Sequence, residues 1–171
     1  MSIASESLKS IKQCPLVTVD SASTVGEALD LARSHQVHHL PVMEKGVLVG
    51  LVCTCDLHDS ALTASVRQAM TAPPITLEES QSALAAARRL KSERVGSIVV
   101  VDENGAPSGI VTRGDLIQVD AGARELLHDD RCVCCGLTRH LSLDARGQML
   151  CIYCRDGATD GSWLDLTEEG S

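Results

Sequence analysis

Apolar residues recur at helical spacing twice along the chain. Val25, Ala28, Leu29 and Ala32 follow an i, i+3, i+4, i+7 rhythm, and Ala83, Ala86, Ala87 and Leu90 repeat it 58 residues later. Each set predicts an amphipathic helix with one face turned to a core. Thr24 followed by Glu27 has the spacing of a capping box at the first helix start, and Ser80 or Ser82 offers a cap to the second. Behind each helix stand two short aliphatic runs of strand character: HHLPVME with VLVGLVC, then GSIVVVD with PSGIVT. Turn residues separate them at Lys45-Gly46 and at Glu103-Asn104-Gly105. A second helix opens at Asp56 or Asp115. The segments starting at Thr18 and Thr76 therefore both read β, α, β, β, α, with one insertion near Asn104.

One copy alone would leave a sheet face or a helix stripe uncovered, so two packed copies form the smallest sensible α/β core with pseudo-two-fold symmetry. The segment SVRQAM, from Ser65 to Met70, predicts a short helical link that ends at Pro73-Pro74. The boundaries expected are residues 13–66 and 67–124 for the two repeats, 129–160 for a Cys-rich module and 161–171 for an acidic tail. Ala123 to Leu127 is expected to carry the last helix on toward that module.

Composition sharpens this picture. Phe is absent and there is one Trp and one Tyr, so aliphatic side chains must fill the core. Asp and Glu number 23 against 15 Lys and Arg, a formal net charge of -8 that opposes nucleic acid and anionic membranes. No apolar run approaches the roughly 20 residues of a membrane span, and the first residues lack the pattern of a signal peptide. The chain reads as cytoplasmic.

Five of the eight cysteines lie from Cys132 to Cys154. Cys132 and Cys135 form one C-x-x-C, Cys151 and Cys154 another, with 15 residues between them. Two such pairs supply the four thiolates of a tetrahedral site, which suits a structural zinc ion, with iron as the alternative. A saturated ion leaves no position for activated water. TRHLSL and QMLCIY predict a small β-hairpin turning at Asp144 to Gly147, and Gly136 lets backbone amides turn toward sulfur. Cys134 is the spare thiol. Arg139, His140 and Arg146 are basic, but the acidic tail opposes nucleic acid and favours a protein partner.

Thr112 and Asp115 stand three apart at a strand-to-helix corner, where a carboxylate can accept from vicinal ribose hydroxyls and a hydroxyl can reach sugar or phosphate. The competing reading is a helix cap. The first copy keeps Asp56 but has Cys53 in the Thr position, which offers a nucleotide less. Arg113 is a phosphate candidate or a solvent-facing side chain. His38 and His39, at a strand start, face a phosphate across the cleft or pack in the core. Cys53 and Cys55 near His58 hint at thiol chemistry without a positioned base.

Residues 13 to about 122 resemble a tandem of CBS (cystathionine-β-synthase-type) domains, a Bateman module, through VTVDSASTVGEALDLARSHQVHHLPVMEKGVLVGLVCTCDL, VRQAMTAPPITL and GSIVVVDENGAPSGIVTRGDL. The resemblance implies two βαββα repeats around a cleft that binds AMP, ADP, ATP or S-adenosylmethionine. It gives Asp115 and Thr112 to one pocket and Asp56 to the other, with Thr18 and Thr76 near the base or its phosphate. It also implies a homodimer. Cys132 to Cys154 resembles the knuckles of a zinc ribbon. With no Gly-rich phosphate loop followed by Lys, an adenine nucleotide would be a signal and not a substrate. The function expected is a non-enzymatic sensor presenting the ribbon to a protein partner; the other reading is a ligand-free dimeric adaptor.

Overall fold

In the computed structural model, residues 6–12, 15–119, 121–127, 130–133, 135–136, 138, 140–145 and 147–157 are described. The expectations for Cys134, Arg139, Arg146 and the tail at 161–171 lie outside them. The first helix among the described residues is short, α1 (Leu8–Ile11). The first repeat follows as β1 (Val19–Asp20), α2 (Val25–His35), β2 (His39–Glu44), β3 (Val47–Cys53) and α3 (Thr54–Leu57). After α4 (Val66–Ala69), the second runs β4 (Thr76–Glu78), α5 (Ala83–Glu93), β5 (Ser97–Val101), β6 (Pro107–Thr112) and α6 (Arg113–Val119). Each repeat carries a three-stranded sheet in chain order, its first pair parallel and its second antiparallel.

Local chemistry explains these elements. Thr24 and Glu27 close a reciprocal capping box on α2, and the Ala85 amide donates to Ser82 Oγ at 3.2 Å on α5. Gln36 and Arg94 end the two helices in the left-handed conformation. At the β2–β3 turn Lys45 and Gly46 both have positive φ, which matches the strand twist of a tight hairpin. The predicted stripe residues are all buried, those of α2 with Leu40, Val42, Val52 and Leu57, those of α5 with Ile98, Val100, Val111 and Leu116.

The repeats interlock by exchanging their leading helices. Helix α4, which precedes the second repeat, buries Val66 in the core of the first, while α1, which precedes the first, buries Leu8 in the core of the second. Backbone bonds fix both exchanges: Val66 N to Ser23 O at 2.8 Å, and Leu8 N to Gln81 O at 2.8 Å. Met70 then lies against Gly50 and Lys12 against Gly109, each where a Cβ would collide. Lys12 also donates to Glu79 at 2.7 Å.

Beyond α6, helix α7 (Ala121–Leu127) folds back and does not reach outward as expected, because Ala123 and Leu127 are apolar and close the core around Leu8 and Leu90. The Cys-rich module then forms an antiparallel pair, β7 (Leu141–Leu143) and β8 (Met149–Cys151), and a short helix, α8 (Ile152–Gly157). The expected second strand stops at Cys151: Ile152 and Tyr153 belong to α8. No helix among the described residues is long and apolar enough to cross a membrane.

Candidate functional site

The pseudo-symmetry brings the ends of β3 and β6, and the helices that follow them, to one end of the cleft between repeats. A cavity of about 200 Å³ lies there between the repeats, lined by Asp56, His39 and Leu51 of the first, Ile75 and Arg94 of the second, and Thr71 of the link. A neighbouring cavity of about 190 Å³ is lined by Pro15, Leu16, Val17, Val37, His39 and Ile110. His39, 7% exposed, borders both. Its Nε2 is buried without a hydrogen-bond partner among the described residues. Burial pulls its pKa down to about 4, outweighing the attraction of Cys135, so near neutral pH it is a neutral ring.

The other predicted ligand residues fall elsewhere. Asp115 Oδ2 accepts from the Thr112 amide and hydroxyl, both at 2.7 Å, and the Asp115 amide donates to Thr112 Oγ1 at 3.3 Å. The pair thus closes on itself as a cap and lines neither cavity. Arg113 is fully buried, not solvent-facing: its guanidinium donates to the Leu127 carbonyl and holds α7 down. Thr18 and Thr76 are exposed at the starts of the entry strands and are absent from both cavity walls.

The Cys-rich module docks across both repeats at this same end of the cleft. The Gly114 amide donates to Val133 O at 3.0 Å, and Arg131 donates to Arg94 O at 3.1 Å. Gly96 meets the Cys135–Gly136 backbone so closely that a Cβ there would lie 2.1 Å from Cys135 C. Tyr153 stacks on His58 of the first repeat, ring centroids 5.3 Å apart and 8° from parallel. Cys135 and Gly136 therefore form part of the cavity wall that holds Asp56.

Six thiols make one cluster here: Cys53 and Cys55 from the first repeat, and Cys132, Cys135, Cys151 and Cys154 from the module. Cys135 Sγ lies 3.6 Å from Cys151 Sγ, and the Cys154 amide donates to Cys151 Sγ at 3.4 Å. Gly136, at φ +78°, lets its amide turn back onto Cys132 O at 2.9 Å. Thiols packed this tightly cannot all ionise without a cation. Contact with Cys135 pushes the Cys55 thiol up, whereas contact with Cys132 leads the causes that pull Cys151 down to about 3. A thiophilic dication relieves this crowding, so the donor set fits zinc. Cys53 and Cys55 escape the sequence argument because pair spacing is a local signal, and they lie far upstream of the other four.

The CBS domain signature matches residues 8–61 and 66–122. The chain is 26% identical to a solved CBS domain of a bacterial CNNM/CorC family Mg2+ transporter in complex with ATP, with TM-score 0.63, covering 70% of this chain and 90% of that one. It is 26% identical, at TM-score 0.63, to a CBS domain pair in complex with 5′-methylthioadenosine and S-adenosyl-L-methionine, covering 68% and 96%. An L-aspartate semialdehyde sulfurtransferase of Methanocaldococcus jannaschii is 27% identical over 120 residues, 68% of this chain and 24% of that protein. The chain spans between 22% and 36% of the length of the curated relatives it first matches.

Proposed function

The chain belongs to the CBS domain family, and from that premise we propose that it is a non-enzymatic regulatory protein that binds an adenosine-containing ligand beside Asp56 and carries a structural metal in its C-terminal module. The cavity between the repeats carries this reading. Leu51, Ile75 and Val95 offer apolar surface to a purine, the Asp56 carboxylate can accept from ribose hydroxyls, and Arg94 stands in the same wall for a phosphate. Neutral His39 offers a ring nitrogen and no charge. The sequence favoured the half with Asp115; the place of Asp56 in the wall of the cavity between the repeats supports the half with Asp56.

The metal half of the reading rests on the thiols around Cys135, Cys151 and Cys154. Zinc is the ion these donors suit best, and its binding would be part of the module's folding free energy. The module has its own small sheet and is the part assigned to a protein partner. A homodimer through the CBS pair belongs to the same proposal, and native mass spectrometry would report metal, retained ligand and subunit count together.

Calorimetry with AMP, ATP and S-adenosylmethionine tests the ligand half. Binding to the full chain that weakens in Asp56→Ala supports it, and no heat with any of the three favours the ligand-free adaptor. Because Cys135 lines the cavity, metal and ligand should be coupled, and stripping the metal should change ligand affinity by the factor that ligand changes metal affinity. Equal ligand affinities with and without metal would remove the coupling.

A further inference from the structure

We infer that the metal centre takes one of its four sulfurs from the first CBS repeat: Cys55, together with Cys135, Cys151 and Cys154, forms the coordination sphere. This rests on the proposal that the module holds a thiophilic metal, and it names the ligand that the paired spacing of the sequence does not supply.

The four sulfurs all lie within 4.8 Å of one another. Cys55 Sγ stands 3.8 Å from Cys151 Sγ and 3.7 Å from Cys154 Sγ, and Cys135 Sγ stands 3.6 Å from Cys151 Sγ. Sulfurs placed about 2.3 Å from a common ion at tetrahedral corners are about 3.8 Å apart. These three separations match edges of a zinc–thiolate tetrahedron and are far longer than the roughly 2.05 Å of a disulfide. Cys132, which the C-x-x-C spacing offers as the fourth ligand, is buried in the same cluster but is not one of this foursome.

The local fold explains how Cys55 arrives. It is the second residue of α3 and 1% exposed, and its amide donates to Cys53 Sγ at 3.4 Å, a bond of the same kind as the Cys154 amide makes to Cys151 Sγ. The equivalent position in the second repeat is Gly114, whose amide donates to Val133 O of the module. The two repeats thus offer matched corners to the module. One supplies a backbone donor, the other a sulfur. Asp56, next in sequence, lines the cavity, so the metal would be joined to the ligand wall through one peptide unit.

The test uses the full chain, reduced and loaded with cobalt(II), then with spin-active cadmium. Cobalt bound by wild type should show the spectrum of four thiolates. Cys55→Ser should lose one thiolate's share of the sulfur-to-cobalt charge-transfer band and bind metal at least about tenfold more weakly. Cys132→Ser should keep the four-sulfur spectrum. Proton–cadmium correlation in the unaltered protein, which does not depend on a variant folding, should couple the metal to the β-protons of Cys55. A four-sulfur spectrum retained in Cys55→Ser, or couplings from Cys132 in place of Cys55, would overturn the inference and leave the metal-bearing module standing. A wild-type chain that binds neither metal would overturn both.

Discussion

Gly96→Ala should loosen the C-terminal module from the repeats while leaving both repeats folded. An ideal Cβ at this position lies 2.1 Å from Cys135 C, 2.3 Å from Gly136 N and 2.4 Å from Cys135 O. Ordinary contact begins near 3.4 Å, so the methyl is about 1.3 Å too close, and its neighbours are backbone atoms that cannot rotate aside. Moving the module away by that distance would stretch the Gly114–Val133 hydrogen bond and separate Cys55 from Cys154. Overpacking of this kind costs about 1–3 kcal/mol. Metal affinity should therefore fall by roughly ten- to a hundredfold, because about 1.4 kcal/mol corresponds to a factor of ten. Competition with a chromophoric zinc chelator measures the affinity, and limited proteolysis between α7 and the module reports the undocking. Gly26→Ala is the control: its Cβ would meet Leu62 O at 3.4 Å, and alanine favours the helix, so metal affinity should not change. Wild-type metal affinity and protease resistance in Gly96→Ala would refute the docked arrangement.

Other expectations follow from single contacts. Leu8→Ala, although it precedes the first repeat, should destabilise the second by about 2–5 kcal/mol, seen as a lower denaturant midpoint, since Leu8 is fully buried beside Leu90 and Leu116. Lys12 holds the Glu79 carboxyl below its usual pKa, so this ion pair stabilises the fold above the ordinary carboxylate range and is lost as pH falls through the lowered value. Lys12→Met should flatten that acid limb in unfolding measured against pH, and an unchanged limb would count against the pairing. Asp56→Ala should weaken an adenosine ligand by about ten- to a hundredfold in calorimetry, from the roughly 1.5–3 kcal/mol of a charged hydrogen bond. Chelation of the metal should lower the melting temperature of the module before that of the repeats, because its sheet has only two short strands.

The elements that the sequence revealed are those whose information is local. Eight residues are enough to show the stripe of α2 or α5, four show the Thr24–Glu27 box, and Lys45-Gly46 shows its turn. Helices α1 and α4 are four residues each, too short for any period, so their exchange between repeats had no local signal. The site divides the same way. Asp56 and His39 could be named from the repeat, but whether Asp115 meets a ligand or its neighbour Thr112 depends on hydrogen bonds that spacing cannot distinguish. Burial of Arg113 follows from α7 returning over it, a tertiary event. Cys55 lies 80 residues before Cys135, and only the fold joins them.

The exchanged helices also set an order of assembly. On a growing chain α1 is made long before its seat, between α5 and α6, so Leu8 must wait exposed until more than a hundred further residues have emerged. The first repeat waits less, needing only α4 to close. During synthesis the first repeat should therefore become protease-resistant before α1 does, and a ribosome stalled after α4 would display a nearly finished first repeat with α1 still unseated.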